Sequence, residues 1–121
     1  QAPLKMTECF VEQVANSDKK LIVSITSRLG SIAENDDGEQ YTYRSTKAAL
    51  NMVHKSLSID LADRGITTAV LHPGWVRTDM GGPNALVDPI DSVSGMRSVI
   101  ERLSSADSGK FFSYDGSLID W

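Results

Sequence analysis

The feature that most restricts the fold is a pair of short apolar runs separated by one long helical segment. Residues 20–27 and residues 67–72 are rich in aliphatic and β-branched side chains, which predicts two buried strands. Residues 43–64 between them have helical composition and are followed by Gly65, a common helix terminator. Continuous apolar strands joined by helices are typical of a parallel sheet covered on both faces. The chain is therefore predicted to be an α/β protein.

Further elements on both sides of this unit complete an alternating order of helices and strands. Apolar residues recur at steps of three and four from about Pro3 to Ala15, which predicts a helix. Asp88 and Pro89 suit the N-cap and first position of another helix, and residues 110–114 predict a last strand. Residues 78–87, with two glycines and a proline, predict a mobile loop. The whole order is half of a doubly wound fold. The third helix is expected to bury Val93, Met96, Ile100 and Leu103.

Tyr43 and Lys47 are the first candidates for chemistry. They lie four residues apart in the long helix, so their side chains share one face. An ammonium about 5 Å from a phenol, at an effective dielectric of about 20, favours the phenolate by about 3 kcal/mol. A positively charged nicotinamide would favour the same form. The pair alone is weak evidence, because the same spacing arises by chance on an exposed helix turn with a solvated lysine.

Three motifs in a fixed order strengthen this interpretation. They are Ser27-x-x-Gly30 after the first strand, Tyr43-x-x-x-Lys47-Ala-Ala-Leu50 in the helix and Pro73-Gly74-x-Val76-x-Thr78 after the second strand. In this order they resemble the short-chain dehydrogenase/reductase family. Residues 41–47, 72–82 and 114–116 are similar to its carbonyl-reductase and C-factor-like branch.

The resemblance covers essentially the whole chain but only part of a family domain. Family members begin with a strand and a glycine-rich turn for the cofactor pyrophosphate, and this sequence has no such turn. The asparagine that supports a proton relay in the family would fall just before Gln1. Residues 1–121 are therefore expected to be the C-terminal half of a single Rossmann-type domain whose N-terminal dinucleotide-binding half is absent. Alone, this half is expected to be inactive.

The resemblance implies a catalytic role for Ser27, Tyr43 and Lys47. Tyr43 would be the general acid that protonates the carbonyl oxygen during hydride transfer, and Lys47 would hold the nicotinamide ribose. Ser27 follows a strand at the carboxyl edge of the sheet, where its hydroxyl could bind the substrate oxygen. The alternatives are a serine that only caps a turn, and Tyr41 as the phenol, which has Ser45 rather than a lysine four residues on.

A second set of residues is expected to bind cofactor and substrate. The turn after the second strand would hold the nicotinamide carboxamide, although Pro-Gly also serves many ordinary strand exits. NADP(H) is favoured by the resemblance, and NAD(H) stays open. The cofactor residues are Tyr43, Lys47, Pro73, Gly74, Val76 and Thr78. Candidates for the substrate wall, besides Ser27, are Trp75, Met80 and Leu86, with ordinary packing as the alternative.

Composition excludes several other classes. A net charge of −4 with scattered basic residues argues against nucleic-acid binding. No apolar run approaches the ~18 residues of a spanning helix, so no membrane partner is expected. The single cysteine, Cys9, excludes an internal disulfide and suits a reducing, cytoplasmic compartment; a buried or half-buried thiol is expected. His54 and His72 are expected to be structural, without a metal.

The long helix carries two apolar stripes. Leu50, Val53, Leu57 and Leu61 are expected to face the sheet. The opposite stripe consists of Ala48, Met52, Ile59 and Ala62, interrupted by Lys55. It could be covered by the first helix or by the same helix in a homodimer, which the resemblance implies for residues 43–64.

Two functions remain open at this stage. The first is an NAD(P)H-dependent oxidoreductase that reduces a small-molecule carbonyl to an alcohol. The second is a non-catalytic, C-factor-like signalling or interaction module that keeps the fold.

Overall fold

A computed structural model describes residues 2–121 as three helices and three parallel strands. The strands form one sheet in the order β1-β2-β3. This confirms the predicted α/β fold with a parallel sheet. The elements are α1 (Ala2–Ala15), β1 (Leu21–Ile25), α2 (Tyr41–Asp60), β2 (Thr67–His72), α3 (Pro89–Arg102) and β3 (Lys110–Ser113).

The central strand β2 carries the core on both faces. Val70 and Leu71 are completely buried and point to opposite sides of the sheet. On one side Leu71 packs in a cluster with Val99 of α3 and Phe112 of β3. On the other side the cluster of Val70 is completed by Phe111, Ile119 and Trp121. The C-terminal segment therefore closes the core beside β2.

The boundaries of several elements differ from the predictions. β1 was expected to reach Ser27, but it ends at Ile25. Ser27 is instead the N-cap of a 3-10 turn, Arg28–Gly30, because its hydroxyl accepts a hydrogen bond from the Leu29 amide. The helix expected from Tyr43 begins at Tyr41 and ends at Asp60, before a second 3-10 turn. β3 ends at Ser113, one residue early.

Several burial predictions were wrong. β1 was expected to be a buried strand, but none of its five residues is buried. Of the four residues of the long helix expected to face the sheet, Leu57 alone is buried, and the other buried positions of α2 are polar. Val93 is 52% exposed, whereas Val99 is buried and Met96, Ile100 and Leu103 pack against it. The reason is Ser92, which occupies the inward position of the first turns and donates a hydrogen bond to the Pro73 carbonyl. Cys9 is exposed rather than buried.

The second stripe of α2 stays uncovered by the rest of the chain. Met52 and Ile59 are both about two-thirds exposed. The first helix is joined instead to the 3-10 turn after α2, by a two-pronged ion pair between Glu12 and Arg64. An exposed ion pair of this kind adds little stability, because water screens the two charges. The apolar stripe is thus available to a partner.

Strand β1 forms one edge of the described sheet, since its only strand partner is β2. A groove runs along this edge between α1 and β1, with Met6 and Phe10 on the helix side. Unpaired strand edges are templates for another strand.

No helix within residues 2–121 has both the length and the apolar character to cross a membrane.

Candidate active site

The turn that carries Ser27 is held at the carboxyl end of the sheet. The amide of Thr26 donates to the Leu71 carbonyl at 2.8 Å, which extends the pairing of β1 with β2 by one bond. The amide of Arg28 donates to Nδ1 of His72 at 3.2 Å. Ser27 therefore lies between two bonds to the end of β2. Its own oxygen accepts from the Leu29 amide, so the hydroxyl proton can be donated elsewhere.

Tyr43 and Lys47 lie in the first turns of α2, on one face as predicted. The Lys47 ammonium is 5.6 Å from the centroid of the Tyr43 ring, over its face. Tyr43 is 41% exposed. Lys47 is half-buried and has no carboxylate partner within residues 2–121. Its positive charge is available to the phenol and to a bound hydroxyl.

Asn51 joins these two parts of the site, and sequence reasoning missed it. It is 2% exposed and follows Lys47 by one helical turn. Its Oδ1 accepts from the Thr26 hydroxyl at 2.7 Å, and its Nδ2 donates to the Gly30 carbonyl at 3.3 Å. The spacing of four from Lys47 could have indicated that Asn51 shares the face of Tyr43.

Both histidines have structural positions. His54 Nε2 is 2.6 Å from the Ser24 hydroxyl, and burial lowers the pKa of His54. The pKa of His72 is lowered to about 4, first by burial and then by the charge of Arg28, with Asp115 opposing. His72 is therefore neutral at pH 7. Its Nδ1 is then free of a proton and can accept the hydrogen bond from the Arg28 amide. Within the described residues no three His, Cys, Asp or Glu side chains cluster as metal ligands.

The turn after β2 is shaped by close packing. Gly74 has φ +84°, and a Cβ there would lie 3.0 Å from the Tyr114 ring and from Val87. A larger residue would meet both strain and contact at this position. The Pro73 carbonyl accepts from Ser92 of α3. The exit of β2 is thus fixed against both α3 and the end of β3.

Hydrogen bonds join the two ends of the loop formed by residues 75–88. The Arg77 amide donates to the Val87 carbonyl, and the Val87 amide donates to the Trp75 carbonyl. The Arg77 side chain donates to the Ala85 carbonyl and to a carboxylate oxygen of Asp88, the latter at 2.7 Å. Arg77, which the motifs did not single out, therefore joins the two ends of the loop.

Half of the predicted cofactor and substrate residues lie within this loop, namely Trp75, Val76, Thr78, Met80 and Leu86. The Thr78 hydroxyl accepts from the Gly81 amide, and the Trp75 ring N–H donates to the Gly81 carbonyl. Trp75 is half exposed, and Met80 is 88% exposed. Leu86 is exposed as well. These apolar side chains are not used in the core of the described residues.

The predicted site residues thus share one end of the sheet. The Ser27 turn and the Pro73–Thr78 turn follow neighbouring parallel strands, and open α/β sheets bind ligands at this end. Thr26 and Asn51 link the serine turn to the helix of Tyr43 and Lys47.

Comparisons with known proteins identify the family of this chain. The model of the short chain dehydrogenase family matches residues 1–86. The chain belongs to that family.

The proteins similar to this chain include C-signal and two carbonyl reductases. The chain is 46% identical to the C-signal of Myxococcus xanthus over 119 residues, covering 98% of this chain and 72% of that protein. The carbonyl reductase Sniffer of D. melanogaster has a TM-score of 0.92 and 36% identity, covering 98% of this chain and 52% of that one. An NADPH-bound carbonyl reductase from chicken fatty liver has a TM-score of 0.91 and 35% identity, covering 99% and 53%. The chain spans about half the length of these two reductases.

Proposed function

We propose that residues 1–121 are the C-terminal half of a nicotinamide-dependent carbonyl reductase. The observation that carries the proposal is that the Ser27 turn and the Tyr43–Lys47 pair, joined through Asn51, lie at the carboxyl end of the parallel sheet. A module used only for binding has no physical need for a serine, a tyrosine and a lysine in this arrangement. The likeness to two carbonyl reductases over half their length supports the reaction and the division into halves.

In the proposed reaction each residue has one role. The Ser27 hydroxyl donates to the carbonyl oxygen of the substrate, because its oxygen already accepts from the Leu29 amide. Tyr43 gives its proton to the same oxygen as negative charge develops there. Lys47 attracts the negative charge that then remains on the tyrosine oxygen, since its ammonium lies over the ring. A bound reduced nicotinamide supplies the hydride.

The residues present fit a nicotinamide cofactor. The Lys47 ammonium is free of carboxylates within residues 2–121 and can bind the ribose hydroxyls, as can the Tyr43 hydroxyl. Pro73, Gly74, Val76 and Thr78 would hold the carboxamide, with backbone groups and the Thr78 hydroxyl as polar partners. NADP(H) is favoured, because the chicken reductase is NADPH-bound; NAD(H) is the alternative.

The substrate is proposed to be a small carbonyl compound with an apolar body. Trp75 and Met80 present exposed apolar surface on the loop beside the site. Apolar walls with few polar groups are typical of small-molecule sites. Ser27 and Tyr43 would then be the polar groups that orient the carbonyl.

The decisive test replaces Tyr43 by phenylalanine in the natural-length protein that carries this segment. Without the phenol proton, turnover of carbonyl substrates with NADPH should fall by at least about 100-fold. Cofactor affinity, measured by fluorescence titration, should change little, because the ring and Lys47 remain. Tyr41→Phe is the matched control, since Tyr41 is 84% exposed and should tolerate the loss of its hydroxyl. A Tyr43→Phe protein that keeps most of its turnover rules out the proposed acid.

The second candidate is an interaction module of the C-signal type, with a homodimer through α2 as one form of the contact, and the 46% identity to C-signal favours it. The exposed Met52 and Ile59 offer a surface for such contacts. Under this proposal Tyr43→Phe is harmless in a signalling assay, whereas a charge at Met52 abolishes the signal. The two proposals thus predict opposite effects of the same pair of variants.

A further inference from the structure

Asn51 makes both of its side-chain bonds to residues that flank Ser27. The Thr26 hydroxyl, which donates to Oδ1, immediately precedes the serine. The Gly30 carbonyl, which accepts from Nδ2, ends the 3-10 turn that the serine caps. Both contacts are buried, so water does not replace them easily.

We infer that Asn51 is a positioning residue that sets the distance and orientation of Ser27 relative to Tyr43. The inference rests on the proposed function and adds a residue to it. Tyr43, Lys47 and Asn51 follow one another at steps of four on one helix face. The bonds from Asn51 to the serine turn therefore fix the position of that turn relative to the helix that carries Tyr43 and Lys47.

The bonds of the turn divide into two sets with different consequences. The Thr26 and Arg28 amides donate to Leu71 and His72, which fixes the turn relative to the sheet. Only the Asn51 bonds, among the side-chain hydrogen bonds of residues 2–121, join the turn to α2. Losing them leaves Ser27 attached to β2 but free to shift relative to Tyr43.

Gly30 shows how closely the turn approaches the helix. A Cβ at this position would lie 2.9 Å from Asn51 Nδ2 and 2.9 Å from backbone and Cβ atoms of Lys47. The glycine of the Ser-x-x-Gly motif thus lets the turn rest directly on α2. Packing limits how closely the turn can approach the helix, and the directional bonds of Asn51 hold the turn at that distance and in one orientation.

The test compares two threonine-to-valine variants in the natural-length protein. Thr26→Val removes the hydroxyl that bonds Asn51. Thr68→Val is the matched control, because the buried Thr68 hydroxyl also donates to α2, at the His54 carbonyl, but lies away from the serine turn. Asn51→Leu removes both bonds at once, and Thr26→Ser keeps the donor as a rescue variant.

The first measurement is amide hydrogen exchange, which does not depend on activity. The Leu29 amide reports on the turn, since it donates to Ser27 Oγ. It should exchange at least about 10-fold faster in Thr26→Val and Asn51→Leu, and at the wild-type rate in Thr68→Val and Thr26→Ser. The inference is overturned if the Leu29 amide exchanges at the same rate in all four variants. It is also overturned if Thr26→Val and Thr68→Val accelerate the exchange of this amide equally.

The second measurement is turnover in two backgrounds. Thr26→Val should lower kcat by about 10- to 100-fold with little change in cofactor affinity, since misplacement by about 1 Å has effects of this size. In a Ser27→Ala background the same change should have almost no further effect, because a positioning residue acts through the group it positions. A loss of the same size in both backgrounds overturns the role. If the wild type itself reduces no carbonyl, the proposed function fails, while the exchange data still decide whether Asn51 positions the turn.

Discussion

Acidification is predicted to destabilise the protein through His72. The folded pKa of about 4 lies well below the ordinary histidine value of 6.5. Between these values the unfolded chain binds a proton that the folded chain does not, so the stability that neutral His72 contributes is fully present above pH 6.5. It is lost as pH falls from 6.5 through about 4. The full difference corresponds to about 3 kcal/mol, of which about 2 kcal/mol is lost at pH 5.

The assay isolates this contribution by substitution. An asparagine side chain places an oxygen near the position of Nδ1, so His72→Asn keeps an acceptor for the Arg28 amide and does not titrate. Urea unfolding of both proteins at pH 7, 6 and 5 gives the difference in unfolding free energy at each pH. The wild type should lose about 2 kcal/mol more than the variant between pH 7 and pH 5.

His54 titrates in the same direction but is present in both proteins, so its effect cancels. A difference between wild type and His72→Asn that stays constant from pH 7 to pH 5 refutes the reasoning. It would mean that protonated His72 is accommodated, for example by the opposing charge of Asp115.

Three further predictions concern packing, the loop and the exposed stripe. Gly95→Ala would place a Cβ against the Tyr114 carbonyl oxygen, far inside van der Waals contact. The overpacking cost of about 1–3 kcal/mol should exceed the gain in helix propensity of at most about 1 kcal/mol. The melting temperature of the variant should therefore be lower than that of the wild type. Arg77→Gln removes the ionic tie between the loop ends and should raise the substrate KM several-fold, whereas Arg97→Gln, on the exposed face of α3, should not. Met52→Asp should shift a dimer toward monomer in analytical ultracentrifugation without changing the circular dichroism spectrum, and an unchanged sedimentation coefficient would contradict an interface through this stripe.

The alternation of helices and strands could be predicted because its signals are local. Apolar runs and three-to-four periodicity depend on neighbours in sequence, and every predicted helix and strand is present. Ends were less predictable, since the cap at Ser27 stops β1 two residues early and competes with an apolar run. The error at Val93 has a tertiary cause, namely the Ser92 bond to Pro73.

In the candidate site, too, some residues could be predicted from local signals and others could not. Ser27, Tyr43 and Lys47 could be named from motif spacing. The spacing from Lys47 also indicates the helix face of Asn51, but not its bond to Thr26, because that bond joins residues 25 apart in sequence and depends on how the turn docks on α2. A polar residue in a helix gives no local signal of which distant group it will meet.

The sheet-facing side of α2 explains why apolar periodicity describes this helix poorly. Asn51, His54 and Ser58 are buried there beside Leu57. Apolar contacts are non-directional and permit small shifts of a helix over a sheet, whereas hydrogen bonds fix both distance and angle. Asn51 bonds the end of β1, and the His54 ring and carbonyl bond β1 and β2. The polar face of α2 therefore mainly determines the position of the helix over the sheet. A reaction between groups on the helix and groups on the sheet requires such a fixed position.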